Sequence, residues 1–296
     1  MNKRGIFLST SCLAYSKIED VVEALAKRGV RHIELSGGTK YHGGCMDSLL
    51  TLRKRYRLHY LVHNYFPPPR EDFVMNLASM SSDVVKKTVK HAKKAIELCA
   101  ILGSPYYSMH AGFFVEVTPS ELGDSIKNAP VIGVEKKTAA FIENFIKLKS
   151  YARERGVSLF LENNVYSAKD FSTFGERVPS MLVTYNDYLI LKKSVDFNLL
   201  LDIAHLKISC RSLGIRFEKE TSDLLDNAQV RYMHISENDG RRDAHMPLKA
   251  NSEIWKVLKT IPDSVNTITL EMKSEATEKV YDSYFNIQNI MEGAQN

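Results

Sequence analysis

Acidic and imidazole side chains recur at the ends of short apolar runs along this chain of 296 residues. The run Leu199–Leu201 leads directly into Asp202, and His205 follows three residues later. A carboxylate is rarely buried unless it is paired or bound to a metal. The stretch therefore predicts that another group compensates the charge of Asp202 at the end of a buried strand.

Similar apolar runs elsewhere in the chain end on, or close to, a side chain that can bind a metal or transfer a proton. These side chains are Glu34, His63, His110, Glu162, His234 and Glu271. Asp243 and His245 add a further pair in the segment RRDAHMP (241–247). Hydrogen bonding or helix capping can explain each residue singly, but one divalent cation accounts for the whole set. Mixed histidine and carboxylate ligands suit zinc, manganese, iron or cobalt.

Eight β-rich runs alternate with segments of helical periodicity. The predicted strands are 5–10, 31–36, 58–64, 105–111, 157–163, 197–203, 231–236 and 267–272. Apolar spacing predicts helices over 17–28, 82–102 and 135–155. Strict alternation predicts a parallel sheet with crossover helices, and eight strands fit a closed (β/α)8 TIM barrel. We therefore predict one α/β domain over 1–296; an open doubly wound sheet is the alternative, although its G-x-G-x-x-G signature is absent after the first strand.

Local signals mark several helix boundaries. Ser16 with Glu19 has the spacing of a capping box at the start of the first helix. The segments AKRGV (26–30) and RERGV (153–157) both reach a glycine and then a valine. Because glycine suits the left-handed residue that closes a helix, each segment predicts a helix end followed by a strand.

The barrel brings the strand-end candidates together, because the carboxyl ends of its strands form one face. His32 and His59 lie near strand starts, so we expect them at the opposite face with structural roles. His91 lies within a predicted helix and is interpreted as solvated or packed, and His42 in a glycine-rich loop is left unassigned.

Composition and charge narrow the class of protein. The formal net charge is +5, with basic residues dispersed rather than concentrated. Four cysteines lie far apart without a C-x-x-C pair, so reduced thiols in a cytoplasmic enzyme are expected. No apolar run reaches the roughly 18 residues of a membrane span, so no membrane partner is expected. A homo-oligomer is left open.

Six motifs in order give the chain a family resemblance. They are HN (63–64), HAG (110–112), LEN (161–163), DIAH (202–205), HISENDGRRDAH (234–245) and LEM (270–272). Together they resemble the xylose isomerase-like TIM-barrel superfamily, which contains sugar isomerases and epimerases and also AP endonucleases of the endonuclease IV type. The resemblance runs over nearly the full length of the chain.

The isomerase and epimerase branch of this superfamily implies a divalent-metal-dependent enzyme with a small carbohydrate substrate. The resemblance implies a metal bound by Glu162, Asp202, His234 and Glu271. The two glutamates would also form the acid/base pair that moves a proton next to a carbonyl, and His205 would contact the substrate.

The endonuclease branch implies a metal-dependent hydrolase with up to three ions. Its ligands would be His63, His110, Glu162, Asp202, His205, His234, Asp243, His245 and Glu271. The chain departs from this branch at Ala244, where the motif has arginine, and in the segment MPLKAN (246–251). No dense basic run suggests a groove for a nucleic acid. We therefore favour the isomerase or epimerase over the hydrolase, and a sugar over a nucleic acid as partner.

Substrate contacts are expected from residues around the same face. Arg241, Arg242 and Lys249 are candidates for binding a phosphate or carboxylate of the substrate, or are simply exposed. Glu34 at the end of the second strand is also assigned to the substrate. The long irregular segments 112–134 and 164–184 follow the fourth and fifth strands, where barrel enzymes build active-site loops.

Overall fold

Eight parallel strands close into a barrel in which each strand pairs with its neighbours in sequence and β1 pairs with β8. The computed structural model describes residues 4–122, 126–127 and 129–293, so part of the predicted loop 112–134 lies outside the described residues. The strands are β1 Gly5–Ser9, β2 His32–Leu35, β3 His59–His63, β4 Tyr106–His110, β5 Ser158–Glu162, β6 Asn198–Asp202, β7 Tyr232–Ile235 and β8 Thr267–Leu270. Each predicted strand is confirmed to within two residues at either end. The predicted (β/α)8 TIM barrel of a single domain is confirmed.

Helices connect successive strands and cover the outside of the barrel. They are α1 Ile18–Lys27, α2 Cys45–Tyr56, α3 Ser82–Leu102, α4 Val134–Arg153, α5 Ala168–Phe174, α6 Tyr185–Ser194, α7 Ile203–Leu213, α8 Phe217–Asn227, α9 Glu253–Leu258 and α10 Thr277–Gly293. The three helices predicted from apolar spacing correspond to α1, α3 and α4. Within the described ranges, no helix is long and apolar enough to cross a membrane.

Glycines end two of these helices as the sequence predicts. Gly29 and Gly156 adopt φ of 93° and 69°, a left-handed conformation that costs glycine little. The amide of the following valine donates to a carbonyl of the last helical turn, at 3.1 Å for Val30 and 3.0 Å for Val157. Each helix therefore closes and turns directly into the next strand.

The capping box predicted from Ser16 and Glu19 is wrong. Helix α1 begins at Ile18, and the residue before it, Lys17, makes no side-chain cap. The Glu19 carboxylate lies instead 2.8 Å from Nε2 of His42. A hydrogen bond with a residue 23 positions away has thus replaced the local cap, and short-range spacing cannot predict such a contact.

The barrel interior is closed by an apolar layer that is separate from the main core. This layer consists of Phe7, Leu61, Phe160, Leu200 and Tyr232. Successive side chains on a strand alternate between faces, so the residue two positions further also points inward. On β3, β5, β6 and β7 that next residue is His63, Glu162, Asp202 and His234. The apolar layer is therefore the floor on which the candidate site rests.

The loop after β4 packs tightly beside this site at Gly112. A Cβ built on Gly112 would lie 2.7 Å from Oδ1 of Asn76 and 3.1 Å from Cβ of Ala78. Oδ1 of Asn76 also accepts the N–H groups of Ala78 at 3.0 Å and of Phe113 at 3.1 Å. The carboxamide cannot withdraw without losing both hydrogen bonds, so only glycine fits.

We expect Gly112→Ala to lower the free energy of unfolding by about 1–3 kcal/mol, because the added methyl group overpacks a site that cannot relax. Gly43→Ala is the matched control: its Cβ meets no atom within 4 Å. Its stability should stay within about 0.5 kcal/mol of the wild type. Urea unfolding of both variants measures the difference, and equal midpoints would contradict the close packing at Gly112.

Candidate metal centre

Four side chains from the ends of neighbouring strands meet at the carboxyl end of the barrel. Each offers one ligand atom, and these atoms all lie within 4.8 Å of one another. The four residues are Glu162, Asp202, His234 and Glu271. All are buried, from 0% exposed for His234 to 7% for Glu271. The strands β5 to β8 thus bring together the set that the sequence resemblance implies.

The imidazole of His234 lies between the two glutamates. Its Nδ1 is 3.4 Å from Oε1 of Glu162 and 3.5 Å from Oε2 of Glu271. The second oxygen of Glu271, Oε1, accepts a hydrogen bond from the hydroxyl of Ser9 at 3.2 Å. One carboxylate oxygen of Glu271 is therefore fixed by the protein, and the other faces the cluster.

Glu34 supports His234 from below. Its Oε2 lies 3.0 Å from Nε2 of His234 and also accepts the hydroxyls of Tyr232 and of Thr269, the latter at 3.1 Å. A carboxylate in this place selects the tautomer with the proton on Nε2, which leaves Nδ1 for a ligand. Glu34 is fully buried, below the cluster. Its contact with a substrate stays a prediction.

Several buried atoms of the cluster have no hydrogen-bond partner. They include both carboxylate oxygens of Glu162 and Nδ1 of His234. The contacts of 3.3–3.5 Å around them lack hydrogen-bond geometry. Unpaired buried carboxylates are costly, and a cation coordinated by these atoms would satisfy them. The donor set of one imidazole and three carboxylates therefore fits a divalent cation.

Two further histidines approach the other oxygen of Glu162. Nε2 of His63 lies 3.4 Å and Nδ1 of His110 lies 3.3 Å from Oε2 of Glu162. The Oγ of Ser108 lies 2.9 Å from Nδ1 of His63, which orients the ring so that Nε2 points at the cluster. His110 is 29% exposed and borders the opening. These three side chains form a second group that could hold a metal ion.

A third constellation links His205, Asp243 and His245. Oδ2 of Asp243 lies 3.2 Å from Nε2 of His205 and 2.9 Å from Nε2 of His245. Nδ1 of each ring faces a backbone carbonyl, that of Asn163 at 3.0 Å and that of Glu271 at 3.1 Å. Both rings can therefore donate Nδ1–H to the backbone and turn Nε2 toward Asp243.

Asn163 was missed as a functional residue by the sequence analysis, although it lies in the LEN segment. Its side chain accepts the Asp202 amide at 2.7 Å and donates to the Asp202 carbonyl at 3.0 Å. The Oδ1 of Asp202 caps helix α7 by accepting the amide of His205 at 2.7 Å. Asn163 thus positions Asp202 from the neighbouring strand. The sequence feature that could have identified it is an asparagine directly after a predicted ligand, Glu162.

Burial and charge shift the pKa values of the cluster in opposite directions. Burial raises the pKa of Asp202 to about 6, against the pull of His205. Burial also disfavours the charged form of Glu271, but His234 outweighs it and lowers the pKa of Glu271 to about 2. For His234 burial lowers the pKa, yet Glu34 and Glu271 raise it well above its usual range. Imidazolium protons therefore balance the carboxylates when no metal does.

Other candidates lie away from the cluster. Arg241, Arg242 and Lys249 are exposed in the loop after β7. Nε of Arg242 lies 3.9 Å from Asp239, and no contact joins any of the three to the cluster within the described part of the chain. Their roles in substrate binding stay predictions. His91, by contrast, is buried in α3.

The sequence as a whole matches the xylose isomerase-like TIM barrel family over residues 22–285. The chain belongs to this family. No curated protein sequence matches it.

Solved structures share the fold over nearly the whole chain. A D-tagatose 3-epimerase-like protein superposes with a TM-score of 0.73 at 19% identity, covering 98% of each chain. An L-ribulose 3-epimerase gives 0.67 at 16% identity, over 99% of this chain and 96% of the other. A 3-keto-D-glucoside 4-epimerase from E. coli gives 0.67 at 13% identity, over 97% and 100%. At these identities the likeness establishes the fold.

We expect a divalent cation such as Mn²⁺ or Zn²⁺ to stabilise the folded protein, by about 2.7 kcal/mol at 100 times its Kd. Asp202→Asn should abolish this stabilisation, because asparagine keeps the cap of α7 but removes a charged ligand. The control Asp223→Asn removes an exposed carboxylate that pairs with Lys219 and should respond like the wild type. Unfolding midpoints with and without the metal measure the effect.

The same titration should show proton release, because the metal must displace the proton that the raised pKa keeps on His234. Affinity should therefore rise with pH through the neutral range. Equal stabilisation of wild type and Asp202→Asn, or binding that is independent of pH, would contradict a metal centre at this cluster.

Proposed function

We propose that the protein is a divalent-metal-dependent isomerase or epimerase that acts on a sugar or sugar derivative by proton transfer next to a carbonyl. The observation that carries the proposal is the buried group Glu162, Asp202, His234 and Glu271, in which two glutamates flank one imidazole nitrogen. Two carboxylates at one centre are what a proton exchange needs: one to remove the proton and one to return it.

The roles of the residues follow from their contacts. A divalent ion, when bound here, would polarise the substrate carbonyl. Glu162 and Glu271 each have an oxygen within 4.8 Å of the other ligand atoms, so a substrate bound at the open side of the cluster would lie within reach of both carboxylates. His205 is oriented through Nδ1 by the Asn163 carbonyl, and its Nε2, now 3.2 Å from Oδ2 of Asp243, would contact a substrate hydroxyl in place of that carboxylate. The apolar floor below excludes water from the barrel side.

The comparisons support a carbohydrate as the substrate class. Structures with the same fold include a D-tagatose 3-epimerase-like protein, an L-ribulose 3-epimerase and a D-allulose 3-epimerase from Methylomonas sp.. All three names refer to epimerisation at a sugar carbon. The four cysteines are unpaired, which supports the proposed cytoplasmic location.

Incubation of the metal-loaded protein with D-tagatose, L-ribulose or D-allulose in D₂O should place deuterium on the carbon next to the carbonyl, detected by NMR. Glu162→Gln and Glu271→Gln should each slow this exchange by about 10²- to 10⁴-fold, because a carboxamide cannot take up the proton. Glu143→Gln, on the exposed face of α4, is the control and should exchange at the wild-type rate.

Exchange that persists in both glutamine variants would contradict the assigned acid/base pair. Metal content must be measured alongside, since both glutamates are also predicted ligands. A variant that retains its metal but loses exchange separates proton transfer from metal binding.

A metal-dependent hydrolase of the endonuclease IV type is the second candidate. The observation that favours it is the approach of His63 and His110 to Glu162, together with the Asp243 pair of histidines. These side chains exceed what one metal needs. They are the residues that would hold a second or third ion for phosphodiester hydrolysis.

Metal stoichiometry distinguishes the two candidates. One ion per chain, unchanged in His63→Ala and His245→Ala, is expected for the isomerase. Two or three ions, with one lost in either variant, would favour the hydrolase. Nicking of a duplex that contains an abasic site, abolished by Glu162→Gln, would then overturn the isomerase proposal. Elemental analysis and a gel assay provide both readouts.

A further inference from the structure

A second cavity lies at the amino-terminal end of the barrel, opposite the metal centre. Its volume is about 400 Å³. The starts of β1, β2, β3, β4 and β8 surround it, and the apolar floor separates it from the carboxyl end. Along β3 the lining residue His59 and the cluster residue His63 are four positions apart, about 13 Å at the rise of a strand. The cavity is therefore distinct from the catalytic end.

Four of the polar residues that line this cavity carry side-chain N–H groups, and Tyr106 and Thr267 add hydroxyls. Arg53 reaches it from α2, His32 and His59 from the first positions of β2 and β3, and Asn266 from the segment before β8. None of the described residues that line the cavity is acidic. Among the nitrogen atoms of these four side chains, only those of the two imidazoles can accept a hydrogen bond, and only while the imidazole is neutral.

Arg53 is held in place without using its donors. The guanidinium packs against the bare backbone of Gly103, where an added Cβ would lie 2.8 Å from a terminal nitrogen. Gly103 ends α3 with φ of 65°, so it is a position that glycine fills readily. Within the described residues, the Arg53 side chain has no hydrogen bond and no ion pair. None of the described residues therefore competes with a ligand for its N–H groups.

The side-chain carboxamide of Asn266 also presents its N–H donors rather than its oxygen. Its Oδ1 accepts the hydroxyl of Thr267 at 2.9 Å, which assigns the Nδ2 donors to the other side. The rings of His32 and His59 stack with centroids 5.0 Å apart, and Phe7 packs edge-on against His32 at 5.1 Å. The wall of the cavity is thus ordered before any ligand arrives.

We propose that this cavity binds a phosphate group, free or on a small phosphorylated molecule. The guanidinium of Arg53 from α2, the carboxamide of Asn266 before β8 and the imidazole of His59 at the start of β3 line the same space. Such an arrangement suits the oxygens of a tetrahedral oxyanion better than a planar carboxylate, and charge-assisted bonds from Arg53 provide the strongest contact. The absence of carboxylates among the described lining residues removes the repulsion that an anion would otherwise meet.

The test is calorimetric titration of the chelator-treated chain of 296 residues with inorganic phosphate at constant ionic strength. Chelation removes a metal-bound phosphate from the measurement. Saturable binding is expected, and Arg53→Gln should weaken it by about tenfold or more. His59→Gln, an exposed position at a strand start, should also weaken it. Arg55→Gln is the matched control, because its guanidinium is on the same helix but points to Glu23 and Tyr56.

Three outcomes would overturn the proposal: no saturable heat in the wild type, equal loss in Arg55→Gln, or affinity that is unchanged in both Arg53→Gln and His59→Gln. Unfolding midpoints of the variants show whether each is folded. A parallel titration with ribose 5-phosphate separates the two sources of the group. Tighter binding than inorganic phosphate assigns the cavity to a phosphorylated molecule, and equal binding to the free ion. The result does not depend on the sugar chemistry proposed above.

Discussion

The concentration of negative charge at one end of the barrel axis is the constraint that organises this structure. A closed parallel barrel directs every second side chain of each strand to the same axis. Here carboxylates and imidazoles lie at the carboxyl ends of the six neighbouring strands β3 to β8. Burying these carboxylates without partners would be costly, so each is surrounded by imidazoles, backbone amides or hydroxyls. The polar atoms that are left without a hydrogen bond converge on one point.

Most of the fold and the candidate cluster could be predicted from local patterns, because they depend on periodicity. The strands are short apolar runs, and the alternation of side chains along them places Glu162 and Asp202 on the inside. Contacts between distant residues could not be predicted. The hydrogen bonds of Glu34 are an example: its partners Tyr232 and Thr269 come from strands nearly 200 or more positions away. The predicted capping box of Ser16 and Glu19 failed for the same reason, because Glu19 contacts His42, 23 positions away.

The barrel interior changes character along its axis. Donor groups without carboxylates line the amino end, aromatic and aliphatic side chains fill the middle, and acids with imidazoles occupy the carboxyl end. Each layer is two residues from the next on a strand. The apolar middle layer thus separates the two polar ends within one small domain.

The hydrogen bonds that orient the acids also limit how each of them can coordinate an ion. Oδ1 of Asp202 is occupied by the amide that starts α7, and Oε1 of Glu271 by the hydroxyl of Ser9. These hydrogen bonds leave the other oxygen of each carboxylate as the better placed ligand, which favours monodentate coordination. Calcium, which takes six to eight oxygens, is poorly served by such a shell. A smaller transition-metal ion, which needs fewer protein ligands, would keep vacant coordination positions for the oxygens of its substrate.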